Sequence, residues 1–249
     1  MITESSVQIN QVADAENADA RWKCLYLVGA AAALITVALV LMAIIAHIVW
    51  PPPAWSPGAA IDWFARFHDN WLLGLLGLDL LIVIGLVLGV PVFLALYVAL
   101  RRTNEAAMAI ATAIALIGTV LHLTSNTAFE MLSLSQGYAA ATTETQRATF
   151  LAAGEATLAA YYGTAFHVSY VLGYVAKIVI GAVMLRSYVF GKTTAYVGIV
   201  AGMVGLGNYV PTIGLFLSIL SVLFIAIWNV LIARGLFKLG QGISKDGRP

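Results

Sequence analysis

The sequence predicts an all-α bundle that crosses a membrane six times and keeps both ends in the cytoplasm. Three observations carry that expectation. Apolar residues make up 61% of the 249 and charged residues only 10%, whereas a soluble domain carries roughly 25% charged residues. Six apolar stretches approach the roughly 20 residues that a helix needs to cross hydrocarbon. The basic residues between them alternate between many and few, as the positive-inside rule requires.

Taken in order, residues 1–20 hold Glu4, Asp14, Glu16 and Asp19 with no basic residue and read as a disordered cytoplasmic tail. A membrane domain over 21–240 and a second cytoplasmic tail over 241–249 complete the expected organisation. Arg21 and Lys23 precede an apolar run from Cys24 to Val49. That run exceeds the roughly 7–15 residues of a cleavable signal's apolar core, so it is read as a retained first span, 24–49.

The loop that follows opens on Pro51-Pro52-Pro53 and, from 50 to 71, holds four of the six tryptophans. Ser56-Pro57 suits the cap and first position of a short helix. Its Trp63, Phe64 and Phe67 are expected to lie as an aromatic belt in the headgroup plane, or to form a lid over a ligand mouth. The second span, 71–100, contains Pro91, whose missing donor predicts a kink. The third covers 105–133. Thr143-x-x-Gln146 forms a capping-box pattern that opens a helix through Phe150, Leu151 and Leu158, expected to continue into the fourth span, 157–186. Asn208, Pro211 and Gly214 divide the last apolar run into spans at 193–210 and 212–234.

With the N-terminus inside, Arg21, Lys23, Arg101, Arg102, Arg186, Lys192, Arg234, Lys238, Lys245 and Arg248 fall on the cytoplasmic side. Only Arg66 and Arg147 fall outside, and Lys177 lies within a span. An odd number of spans would destroy this bias. Gly85-x-x-x-Gly89 and Gly198-x-x-x-Gly202 match the small-residue spacing that lets helices approach closely.

Several functions are excluded. A net charge of +1 offers no dense basic face for nucleic acid. The single Cys24 rules out an internal disulfide, a CxxC pair and an all-thiolate metal site. Phosphate-binding glycine loops and the GxSxG elbow are missing, so soluble-type nucleotide binding and serine hydrolysis lack support, and any cofactor stays unassigned.

Ionisable residues inside spans are informative, because a charge in hydrocarbon costs at least about 2.5–3.5 kcal/mol. Wound as one helix at about 100° per residue, Thr119, His122, Asn126, Glu130 and Ser133 share an arc of about 80°. His167, Tyr170, Tyr174 and Lys177 share a similar arc on the fourth span. Asp79 stands alone on the second. By helical rise, Asp79, His122, Asn126 and His167 reach one layer in the outer half of the bundle, with Glu130 near its mouth and Lys177 lower. Eight candidates, Asp79, His122, Asn126, Glu130, His167, Tyr170, Tyr174 and Lys177, outline a polar pocket for a small molecule or ion, and binding or transport there is the leading expectation.

Plainer roles stand beside it. Glu130 and His47 suit interfacial water, Asp79 and Lys177 a structural ion pair, and the histidines helix-to-helix hydrogen bonds. His122, His167 and Glu130 have the chemistry of a transition-metal site without a close-spaced ligand motif. An intramembrane enzyme using histidine or carboxylate acid–base chemistry, and an accessory subunit of a membrane-protein partner or homo-oligomer, are the alternatives. The expected location is the plasma membrane, with the lipid bilayer as solvent.

The segments SNTAFEMLSLSQGYAAATTETQR (125–147), GTAFHVSYVLG (163–173), MLRSYVFGKTTAYVGIVAG (184–202) and IARGLFKLG (232–240) resemble an uncharacterised prokaryotic membrane family, domain of unknown function 4386. The likeness covers roughly the second half of the chain. It departs at Gly235, where the family more often carries a second arginine. The resemblance implies a multi-span membrane fold and assigns no activity, substrate or catalytic residue.

Overall fold

A computed structural model describes residues 21–242. The expected tails, 1–20 and all but the first two residues of 241–249, lie outside the described residues. Among the described residues every regular element is helical. This suits a chain in hydrocarbon, where each backbone N–H and C=O must find a partner within its own segment.

Six long helices form a ring: α1 (Lys23–Val49), α4 (Leu80–Leu100), α5 (Glu105–Ser125), α8 (Thr164–Leu185), α9 (Lys192–Leu206) and α10 (Gly214–Gly240). Their main pairings run α1–α4–α5–α8–α9–α10 and back to α1. Four further helices, α2 (Ala60–Asp69), α3 (Trp71–Gly77), α6 (Ala128–Ala140) and α7 (Glu144–Tyr161), gather at one end as a cap. The outward faces carry Leu34, Ile45, Ile110, Val120, Leu215 and Phe216, all exposed. Large apolar side chains spread over this much surface demand an apolar solvent. The chain is a multi-pass membrane protein.

The end of the ring opposite the cap is closed by a dense core that includes Tyr26, Leu96, Leu100, Met108, Met184, Trp228 and Leu236. Lys23, Arg101, Arg186 and Lys192 stand at the helix ends there, and the Arg101 guanidinium lies over the Trp22 ring at 5.8 Å. Of the two glycine patterns, only the second makes the close approach its spacing predicts. A Cβ on Gly198 would collide with the Trp228 indole, and one on Gly202 would lie 2.7 Å from the Tyr174 carbonyl. A Cβ on Gly89 would meet nothing nearer than Phe93 at 3.7 Å.

The structure corrects three spans expected to be continuous. The second breaks at Asp79, whose backbone is left-handed at φ 62°, so α3 belongs to the cap and the membrane helix starts at Leu80. The third breaks at Asn126, whose side chain replaces helical hydrogen bonds. Its Nδ2 donates to Leu78 O at 2.8 Å, and its Oδ1 accepts from Ala128 N at 3.2 Å. The fourth breaks at Tyr162–Gly163, which separates α7 from α8.

The turn at Asn208, Pro211 and Gly214 is present, and a Cβ on Gly214 would strike the Asn208 carbonyl. Helix α9 has 15 residues, roughly 22 Å at helical rise, short of a hydrocarbon core about 30 Å thick. Five stretches among the described residues are long and apolar enough to cross on their own.

The cap corrects the aromatic belt. Trp63, Phe64 and Phe67 are buried against Leu75, Met131, Leu158 and Tyr161, because the amphipathic α2 turns its apolar face onto α6 and α7. Its N-terminus is held from a distance, not by Ser56: Glu155 of α7 accepts from Ala60 N at 2.7 Å and Gly58 N at 3.1 Å. The capping box that starts α7 is formed as expected, with Gln146 N donating to Thr143 Oγ1 at 3.2 Å.

Candidate functional site

Between the cap and the dense core the ring surrounds a partly open cavity of about 530 Å³. Valine, isoleucine, alanine and glycine from α1, α4, α5 and α10 form much of its wall. Into this apolar space five of the six ring helices send polar groups. His47 comes from α1, Asp79 from the start of α4 and His122 from α5. Tyr170, Tyr174 and Lys177 come from α8, and Asn229 from α10.

Of the eight candidates chosen from the sequence, Asp79, His122, Tyr170, Tyr174 and Lys177 line the cavity. Asn126 is half-buried beside it and serves the chain break instead. Glu130 is exposed on α6. It left the third-span arc when the helix ended at Ser125. His167 is also exposed, and its ring packs edge-on to Tyr209 at 5.7 Å. Tyr209 in turn donates to His167 O at 3.0 Å. His122, His167 and Glu130 therefore do not meet, and no three His, Cys, Asp or Glu side chains among the described residues surround one point.

Two partners of Asp79 were not read as its partners from the sequence. Tyr161, buried at the end of α7, donates its hydroxyl to Asp79 Oδ2 at 2.7 Å. His47 Nε2 lies 3.8 Å from Oδ1. The other ring nitrogen, Nδ1, lies 2.8 Å from Ala43 O. A carbonyl only accepts, so Nδ1 carries a proton, and the contact with Asp79 becomes attractive when Nε2 carries one as well. His47 had a visible signal, an ionisable side chain in an apolar run. Tyr161 had none, being 82 residues from its partner.

His122 is oriented by similar logic. Ser169 spends its hydroxyl proton on Phe166 O at 2.6 Å and lies 3.3 Å from His122 Nδ1. The imidazole must donate through Nδ1, which leaves Nε2 as an acceptor for whatever fills the cavity. Aromatic rings continue the wall from cap to interior. Trp55 stacks on Tyr161 at 5.1 Å, Tyr161 lies 5.9 Å from Phe166, Phe166 4.8 Å from Tyr170, and Tyr170 5.9 Å from Tyr174.

The profile of the family described as domain of unknown function (DUF4386) matches residues 25–236. The chain belongs to this family. The match takes in all six ring helices apart from the outermost residues of α1 and α10, so the cavity is built wholly from the family's own segment. It also extends the likeness seen in the second half of the chain to the first three spans. Nothing matches among the curated proteins or the solved structures.

Proposed function

We propose that this DUF4386 protein is a plasma-membrane protein that binds a small, largely apolar molecule in the cavity and carries it between the membrane's two sides. In this reading the ring crosses the bilayer six times, with the basic end in the cytoplasm and the cap outside. One observation carries it: five separate helices each direct polar side chains into a single, partly open, mainly apolar space. Polar groups at membrane depth are costly to keep and face one another or a cavity. An apolar pocket of 300–1,000 Å³ with a few convergent polar groups is the usual form of a small-molecule site, in round figures.

A ligand of unknown identity can be sought directly. Native protein and Val222→Trp, whose indole would occupy the cavity, are purified in the same detergent. Their bound small molecules are then extracted and weighed by mass spectrometry. A compound stoichiometric with native protein and lost from Val222→Trp is expected. Identical extracts from the two proteins would reject the reading.

A further inference from the structure

Lys177 has a geometry that the cavity alone does not explain. It lies in the C-terminal half of α8, nine positions before Arg186 at the basic end. A lysine at such a depth ordinarily stretches its stem toward the nearer membrane surface. Here it does the reverse. Its ammonium donates to Gly173 O at 3.2 Å, one turn toward the capped end, and rises beside the Tyr174 ring at 5.7 Å.

The charge is also unbalanced. Among the described residues no carboxylate lies within 4.0 Å of Lys177, and Asp79 is already engaged by Tyr161 and His47. One of the three ammonium donors is used, which leaves two for an occupant of the cavity that Lys177 lines. Asn229 faces the same space from α10 and bonds only within its helix, through Nδ2 to Ile225 O at 3.0 Å. Val37, Val40, Phe93, Val222 and Ala226 of the same lining are apolar. Ile48, near the end of α1, lines the cavity and is 75% exposed, so the cavity reaches the surface there.

We infer that the cavity takes a single-chain amphiphile with a monoanionic head of the carboxylate type, its head on Lys177 and Asn229 and its tail along the apolar wall. This rests on the cavity being a binding site and adds the class of occupant. The head completes the charge of Lys177 through charge-assisted hydrogen bonds, while the tail fills space that water would occupy poorly.

The native protein in lipid nanodiscs is titrated with oleate, with oleyl alcohol as the uncharged analogue and with hexanoate as the soluble short acid, and thermal unfolding is followed. Oleate should stabilise and oleyl alcohol should not. Lys177→Met should bind oleate about tenfold more weakly or worse, the loss of one hydrogen bond to a charged group, with Lys177→Arg restoring most of it. Equal responses to oleate and oleyl alcohol overturn the inference, and this comparison stands even if Lys177→Met does not fold. Hexanoate as effective as oleate overturns the amphiphile and points to a soluble anion. A neutral or cationic compound released from native protein and lost from Val222→Trp would sink this assignment while leaving the cavity reading intact.

Discussion

The Tyr161 hydroxyl donates to Asp79 Oδ2 at 2.7 Å, joining the last residue of α7 to the residue at which α3 gives way to α4. This bond ties the cap to the ring at a point where the backbone is left-handed, φ 62°. That conformation is uncommon outside glycine and is best tolerated by Asp and Asn. Tyr161→Phe keeps the ring in the aromatic wall and deletes only the donor. A loss of about 1.5–3 kcal/mol is expected, the usual worth of a hydrogen bond to a charged group. Equilibrium unfolding in mixed micelles measures it, and a change near zero would mean that the bond does not hold the two parts together.

The cap depends on a second long-distance carboxylate. Glu155 accepts from Ala60 N and Gly58 N at the start of α2, where a helix leaves its first N–H groups unsatisfied. Glu155→Ala should destabilise α2 by about 1–2 kcal/mol, the range found for lost caps. Limited proteolysis of the segment 50–70 is a direct readout, and cleavage there should accelerate while cleavage elsewhere does not change. Glu155→Gln, which keeps an acceptor, should lie between the two.

Much of this was legible from the residues alone. The apolar runs gave the ring helices, because hydrocarbon admits few other backbone arrangements, and Asp79, His122, Tyr170, Tyr174 and Lys177 were marked by the cost of polar groups at depth. Most of the errors share one cause. The second and third spans read as unbroken helices, and the breaks at Asp79 and Asn126 depend on partners distant in sequence. Leu78 O needs Asn126, and Asp79 needs Tyr161. Once the third helix ends at Ser125, Glu130 takes a new direction, and no local pattern announces it. The burial of Trp63 and Phe64 was hidden for the same reason: the surface that covers them comes from α6 and α7. His167 is the exception, exposed at the edge of an arc that α8 keeps intact.

Two glycine patterns with identical spacing make opposite predictions. Gly198 abuts the Trp228 indole so closely that any Cβ collides, and overpacking a tight contact costs about 1–3 kcal/mol. Gly198→Ala should therefore lower stability, measured by thermal unfolding in detergent. Gly89→Ala adds a methyl that meets Phe93 at an ordinary 3.7 Å, and replacing glycine inside a helix contributes up to about 1 kcal/mol of stability. That variant should be neutral or stabilised. The same direction for both would mean that the spacing, and not the contact, determines the outcome.

His122 and His167 also looked equivalent in the sequence, and the structure separates them. His122 is buried, donates to Ser169 and lines the cavity. His167 is exposed against Tyr209 at the joint before α10. His122→Leu leaves the Ser169 oxygen without its donor and puts an apolar side chain on the cavity wall. Its expected effect is a loss of about 1–3 kcal/mol of stability for the broken buried pair, with any compound bound in the cavity retained. His167→Ala should keep the compound at native stoichiometry and cost less than about 1 kcal/mol, as for an exposed contact. Thermal unfolding of the two variants, with extraction and mass spectrometry beside it, decides the matter. Loss of the compound in His167→Ala alone would place the binding surface outside the ring, against the Tyr209 joint.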